Sequence, residues 1–415
     1  MGNEVNLNNY RLEQKCRICS SNNLKMILDL GEQPPSNSFI DKNELNSLES
    51  KFPLRLFWCN DCYLVQLLDI VEKEYLFRNY FYMTSASKPI VEHFKKYAQD
   101  VYQEFLQKDD SLVIEIGSND GSLLKEFKKL GTSILGIEPA INLSKLANQS
   151  NITTKNTFFS SHISKEIIKS RHATVVIANN VIAHIEDLQD LMSGIKILIG
   201  DHGVFIFEVP YLVDLIKNLE FDTVYHEHLS YFSILPLLEL VKQFGLEIFD
   251  IRKQLVHGGT LRIFISKKDN HQINKSVKIF VDKEKKLGLD KIEFYEKFSL
   301  DVQQLKKNLI KILTKLKKEN KSIFGYGAPA KGNVLLNYCG IDTKFLDHII
   351  DTTPLKQGKY TPGMHIPIIP PSNLNNDDVA LLLAWNYESE ILIKEKIFRN
   401  NGGKFLIPLP KPIMK

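Results

Sequence analysis

Residues 111–127 read SLVIEIGSNDGSLLKEF. An apolar run turns at Gly117, and beyond Gly121 the residues Leu123, Leu124 and Phe127 recur at the spacing of one helix face. Strand, glycine-rich loop and helix in this order open a doubly wound α/β sheet, whose ligands sit outside the carboxyl ends of the strands. The next apolar run, SILGIEPA (133–140), ends in Glu138, 17 residues after Gly121. A carboxylate there can accept hydrogen bonds from both hydroxyls of a ribose. The loop reads E-x-G-x-x-x-G from Glu115, so the middle glycine of the pyrophosphate-binding G-x-G-x-x-G pattern is missing. S-adenosylmethionine (SAM) carries no phosphate and suits such a loop better than NAD does. Gly117 and Gly121 are expected to let the backbone approach that ligand closely. The alternative is an ordinary strand–turn–helix with no ligand.

The same rhythm continues. ATVVIANNVIAHI (173–185) predicts a strand ending at Asn179–Asn180, and HGVFIFEVPYL (202–212) another, with Glu208 and Pro210 near its end. EDLQDLMSGIKILI (186–199) between them has helical period. Gly117, Glu138, Asn180 and Glu208 thus fall at strand ends around one crevice. YHEHLSYFS (225–233) follows in the loop region over that crevice. Its histidines read as a zinc site, a packed pair or an acid/base cluster. In an extended loop His226 and His228 would point one way and Glu227 the other. H-E-H lacks the H-E-x-x-H spacing of helical zinc peptidases.

Upstream lie four of the five cysteines, as CRIC (16–19) and CNDC (59–62), with 39 residues between the pairs. Two C-x-x-C knuckles offer four thiolates, which predicts one structural zinc held by Cys16, Cys19, Cys59 and Cys62, with no open coordination position. The segment between them includes LDLGEQPPSNSF (28–39), a run of turns. The other reading is a redox C-x-x-C beside an unrelated pair. In NYFYMTSAS (79–87), Tyr80 and Tyr82 share a face if the chain is extended.

Downstream, residues 275–320 are lysine-rich with apolar positions at helical spacing, a solvated helix face. SIFGYGAPAKGNVLLNYCG (322–340) then repeats strand, glycine turn and helix, FLDHIIDTTPLKQGKY (345–360) supplies a strand ending in Asp351, and VALLLAWNY (379–387) a third. Lys331 falls where the helix begins, a plausible place for phosphate. A duplicated fold without a ligand is the alternative. Cys339 is expected to be packed on its helix.

The 415 residues allow two or three domains. With 53 basic and 49 acidic residues, net charge +4, composition gives no support to a nucleic-acid partner. No apolar run approaches a membrane span, and MGNEVNLNNYRLEQK lacks signal-peptide features, so a cytoplasmic location is expected.

CRIC…CNDC, VIEIGSNDGSLL, GIEPA, YHEHLSYFS, HGGTLR (257–262) and GYGAPAKG (325–332), in this order, resemble the sugar C-methyltransferases. The resemblance runs from about Cys16 to about Pro410. It implies an α/β fold: a zinc-binding domain (1–88), a Rossmann-like class I SAM methyltransferase domain (89–270) and a second Rossmann-like domain binding the sugar nucleotide (271–415). It implies methylation of a carbon α to the ketone of a nucleotide-linked 4-keto-6-deoxy sugar, C3 favoured over C5, by base-catalysed enolisation. His228 would be the base, with Glu227, Tyr225 and Tyr82 as catalytic partners and no role for His226. Glu115, Gly117, Asn119, Gly121, Glu138 and Asn180 would hold SAM, and Lys331, Tyr326, Arg262 and Tyr80 the substrate. The protein would bind neither nucleic acid nor membrane and be a monomer or weak oligomer. An O- or N-methyltransferase on the same cofactor fold, or a zinc-ribbon scaffold without catalysis, are the competing readings.

Overall fold

The structure, a computed structural model, describes residues 9–77, 84–86, 88–108, 110–169, 171–254, 259–371 and 378–415. Its central sheet has seven strands in the order β12 (Leu246–Gln254), β13 (Thr260–Lys267), β10 (Val204–Pro210), β9 (Val175–Asn179), β6 (Leu112–Ile116), β7 (Ser133–Ile137), β8 (Thr154–Lys155). The five strands from β10 to β8 are parallel, and β13 runs antiparallel to both its neighbours. All five residues of β6 are buried, as expected of a parallel strand covered on both faces. Side-chain alternation sorts them. Leu112, Ile114 and Ile116 join the core with helix Leu188–Ile199, while Val113 packs with Leu123, Leu124 and Phe127 of helix Ser122–Lys129. Strand order reverses between β6 and β9, which places the ligand crevice outside their carboxyl ends.

The N-terminal sheet is β2 (Leu24–Gln33), β3 (Phe52–Cys59), β4 (Val65–Leu67) and β11 (Ser230–Tyr231), all antiparallel. A short ladder of β1 (Tyr10–Leu12) on β5 (Asp69–Val71) lies beside it. β11 comes from the middle of the chain, so the segment following His228 is paired into the sheet that carries the cysteine knuckles.

The third sheet has the order β16 (Ile368–Ile369), β15 (Ile349–Ile350), β14 (Ile323–Tyr326), β17 (Val379–Leu382), β18 (Lys404–Ile407), β19 (Ile413–Met414), parallel except for β19. It is a second doubly wound sheet, reversing between β14 and β17. Helix Ile292–Lys318 buries Tyr295, Phe298, Val302, Leu305, Leu309 and Leu313, a stripe at three and four spacing, in a core shared with the N-terminal sheet and the third sheet. Helix Lys275–Leu287 packs on β12 and on helix Ile234–Lys242. The buried Glu284 carboxylate accepts the first N–H groups of that helix, from Ile234 and Leu235, at 2.8–3.0 Å, taking up donors that a helix start leaves unpaired. Residues 275–287 therefore pack with the central sheet.

Candidate active site

A cavity of about 1860 Å³ opens between the three sheets. That exceeds a usual single-ligand pocket of roughly 300–1,000 Å³. The turn after β6 borders it through Gly117, Ser118 and Asn119, the end of β7 through Glu138, and the end of β9 through Asn179 and Asn180.

Glu138 Oε2 accepts the Asn119 N–H and Oε1 the Ala140 N–H, both at 2.8 Å. The Gly117 N–H donates to Ile137 O at 2.8 Å. Gly117 and Gly121 both have positive φ, +67° and +77°, which only glycine adopts at little cost. A Cβ on Gly117 would lie 2.3 Å from Val181, and one on Gly121 2.9 Å from Ile152. The protein's own side chains therefore also require glycine at both positions. Gly121 does not border the cavity. Burial raises the Glu138 pKa, opposed by its two backbone donors. Glu115 is buried and Oε2 has no partner among the described residues. Burial, Asp120 and Glu138 together push its pKa well up. A carboxylate in this state is completed by a cation, and SAM brings both a sulfonium and an ammonium.

Across the cavity, residues 225–228 form a turn rather than an extended run, with the His228 N–H donating to Tyr225 O at 2.8 Å. The extended alternation of 226 and 228 therefore does not hold, and residues 225 and 228 meet instead. His228 Nδ1 lies 2.9 Å from Thr223 O and Nε2 3.0 Å from the Tyr225 hydroxyl. A carbonyl only accepts, so Nδ1 carries the proton and Nε2 is the basic atom. Burial, then the nearby His184, pulls the His228 pKa down to about 3. His226 turns away, placing Nε2 3.2 Å from Pro53 O and its ring edge against Phe52. Glu227 accepts from Asn37 Nδ2 at 2.6 Å, so the segment inserted between the cysteine knuckles reaches the cavity.

The chain is 34% identical over 403 residues to the C-methyltransferase NovU of Streptomyces niveus, covering 96% of each chain. The chain belongs to the C-methyltransferase family. Three family models divide it: a zinc binding domain at 16–77, a methyltransferase domain at 90–251 and a C-methyltransferase C-terminal domain at 255–410. A SAM-dependent methyltransferase from Clostridium acetobutylicum is 12% identical over 43% of this chain and 92% of its own, TM-score 0.34. The magnesium protoporphyrin IX methyltransferase of Synechocystis is 11% identical over 43% and 79%, TM-score 0.32.

This C-methyltransferase uses SAM, and its four N-terminal cysteines form one cluster. The Cys16, Cys19, Cys59 and Cys62 sulfurs all lie within 4.8 Å of one another, a fit for the tetrahedral thiolate set of structural zinc. Burial pushes the Cys19 thiol up to about 12, a cost that a dication relieves. Between the first two cysteines, the buried Arg17 donates through Nη1 to Leu67 O at 2.5 Å and to Leu229 O at 3.1 Å. The zinc knuckle thereby holds the backbone next to His228.

His184, unremarked in the sequence, belongs to the site. It ends the short turn Ile182–His184 after β9, with its ring centroid 4.8 Å from that of His228 and Nδ1 2.6 Å from Glu227 O. Burial lowers its pKa to about 4. Its only sequence signal is a position just past a strand end facing the crevice. Arg262 does not border the cavity. Its guanidinium pairs with buried Glu208 at 2.7 Å and lies over the Tyr97 ring at 3.5 Å, and His93 takes the other face of Glu208. Both Arg262 and Glu208 are committed inside the sheet. Tyr326 borders the cavity and donates to Glu395 at 2.6 Å. Lys331, in the first turn of helix Ala330–Cys339, also borders the cavity, with Nζ 4.1 Å from the Trp385 ring centroid. Trp385 Nε1 donates to buried Asp222, whose pKa burial pushes up to about 7. Tyr80 and Tyr82 lie outside the described residues. Among the described residues no helix is long and apolar enough to cross a membrane.

Proposed function

We propose that this enzyme methylates a carbon α to the ketone of a nucleotide-linked 4-keto-6-deoxy sugar, C3 before C5, with His228 as the base. The carrying observation is the hydrogen-bonded turn that fixes His228 with its proton on Nδ1 and its lone pair on Nε2, beside the Tyr225 hydroxyl. Such a C–H is a weak acid and needs a placed base, worth about 10²–10⁴-fold. Burial keeps His228 uncharged at neutral pH. Tyr225 can hand a proton toward the developing enolate oxygen, and Glu227, fixed by Asn37, orients the sugar hydroxyls. His184 positions this loop through the Glu227 carbonyl. SAM, when bound, supplies the electrophilic methyl. Glu115 would face its cationic groups and Glu138 its ribose, with Asn119 and Asn180 shaping the pocket.

Charge supports a diphosphate at the opposite end. The cofactor side of the cavity carries Glu115, Glu138, Glu186, Asp187 and Asp190 with Lys73, whereas the third sheet brings Lys331, Lys356 and Lys394 among Asp351 and Glu390. We assign Lys331 to the phosphates and Tyr326 to the same ligand, in an uncomplexed or weakly associated cytoplasmic protein. The deciding test is solvent deuterium exchange at the ring carbon of a nucleotide 4-ketosugar. Native enzyme should exchange it and His228→Asn should not. Native-rate exchange by His228→Asn would move the base elsewhere.

A further inference from the structure

We propose that Asp222 is a positioning residue for the reaction: by accepting the Trp385 indole N–H it ties the turn that carries Thr223, and with it the orientation of His228, to the third sheet. The proposal rests on His228 as the base and names what keeps its lone pair in place.

His228 is basic at Nε2 only while its proton stays on Nδ1, and the acceptor that keeps it there is Thr223 O at 2.9 Å. That carbonyl ends the short turn Phe221–Thr223, outside the YHEH stretch. Bonds inside the turn fix its shape: the Thr223 N–H donates to Glu220 O and the Val224 N–H to Phe221 O, both at 3.0 Å. Its place is set from the third-sheet side. Phe221 and Val224 are buried in the core shared by the N-terminal and third sheets, and the Phe221 ring meets Tyr338 of helix Ala330–Cys339 edge-on, centroids 5.2 Å apart. Asp222 is fully buried, and its Oδ2 accepts the Trp385 Nε1–H at 2.7 Å. Trp385 opens the short turn Trp385–Tyr387 just past β17. The tie thus runs from the end of a third-sheet strand, through an indole and a carboxylate, to the backbone oxygen that sets the histidine tautomer.

A carboxylate is a costly group to bury here. Oδ1 of Asp222 has no hydrogen-bond partner among the described residues. Lys331, half-buried with Nζ 4.1 Å from the Trp385 ring centroid, attracts Asp222, while Glu220 repels it. A half-satisfied polar group inside a core lowers stability, and a leucine of similar size would fill the space without that cost. The cost is explained if the one bond made, to Trp385, fixes the residue beside Thr223. An indole N–H only donates, and a carboxyl offers an oxygen in either protonation state, so the tie does not depend on the charge of Asp222.

The test compares the zinc-loaded full chain with Asp222→Leu, which fills the space without an acceptor, and Asp222→Asn, which keeps one. Nitrogen-15 NMR of histidine-labelled protein reads the tautomer, with the His228 signals assigned by their loss in His228→Asn. Native His228 should show a protonated Nδ1 and a bare Nε2, and Asp222→Leu a mixture of the two tautomers. Solvent deuterium exchange into dTDP- and UDP-linked 4-keto-6-deoxyglucose, measured at saturation, should slow about ten- to hundredfold in Asp222→Leu and return to within about threefold of native in Asp222→Asn. The SAM dissociation constant should stay within about twofold of native in both variants. If circular dichroism shows Asp222→Leu unfolded, Trp385→Phe, which keeps a ring and removes the donor, takes its place. A folded variant that keeps either the native tautomer or the native exchange rate overturns the proposal and leaves His228 as the base. Equal loss in Asp222→Asn also overturns it, because charge and not the hydrogen bond would then decide. Native-rate exchange by His228→Asn, or no exchange of either sugar by native enzyme, is the separate failure of the reading beneath it, and takes this proposal with it.

Discussion

The two glycine turns, GSNDGS after β6 and GYGAPAKG after β14, close onto their second strands through the same backbone hydrogen bonds, Gly117 to Ile137 O and Gly327 to Ile350 O, but stand in opposite fields. Around the first, acids prevail, and burial pushes Glu115 and Glu138 upward. Around the second, Lys331 and Lys356 are half-buried, and desolvation lowers their pKa values against the pull of Asp222, Glu220 and Asp351. In the reading proposed above, the charges beside each turn would select its ligand, a cationic cofactor at the first and an anionic sugar nucleotide at the second. The histidine turn lies between the two fields.

The largest effect should come from that intermediate position. His228→Asn is expected to lower turnover about 10²–10⁴-fold while SAM and nucleotide dissociation constants stay within about twofold of native, read by steady-state rates and calorimetry. A parallel loss of either affinity would attach the turn to one half and break the comparison. Next is Glu138→Ala, which removes an acceptor from the ribose and from two backbone donors. SAM affinity should fall about ten- to hundredfold, with nucleoside diphosphate binding unmoved. Smaller still is Lys331→Ala, with an expected rise of about tenfold or less in the Michaelis constant for the sugar nucleotide and no change for SAM. An unchanged constant would mean that Glu220 and Asp222, which both attract Lys331, already occupy its charge.

The smallest effect on rate is that of pH. His228 is neutral in the fold down to about pH 3, so its protonation should leave turnover flat from pH 8 to 6. Stability responds differently. His184, His226 and His228 titrate near 4, 4 and 3 when folded but near 6.5 when unfolded. Their contribution is fully present above about pH 6.5 and is lost as pH falls toward 4, at up to about 1.4 kcal/mol per pH unit for each histidine. Urea midpoints measured between pH 7 and 5 should decline accordingly. Constant midpoints would show that these imidazoles ionise freely.

Much of this architecture is written locally. Parallel strands buried on both faces leave unbroken apolar runs, so β6, β9 and β14 and the glycine turns behind them could be read directly, as could the paired cysteines. What escaped depends on residues distant in sequence. His184 joins His228 only because β9 and the turn at 225 converge on one crevice. The alternation expected of YHEH gave way because the His228 N–H closes a turn on Tyr225. Arg262 looked available for substrate until Glu208 and Tyr97 enclosed it. Helix Lys275–Leu287 carries no sign in its own sequence that Glu284 will cap a helix some fifty residues earlier. Asp351 was legible as a strand end, but the Ala328 and Thr353 N–H groups that it accepts were not.

β11 has a consequence for handling the protein. Ser230 and Tyr231 pair with Gln66 and Val65, and a slip of one residue in that ladder would turn every side chain to the opposite face. Arg17, between the cysteines, clasps both strands at Leu67 and Leu229. Chelation therefore threatens registration of the histidine turn together with the face of the central-sheet core that Cys16, Ile18, Cys59 and Cys62 pack into. Zinc-starved preparations would turn over little, and metal content becomes the measure by which batches are graded.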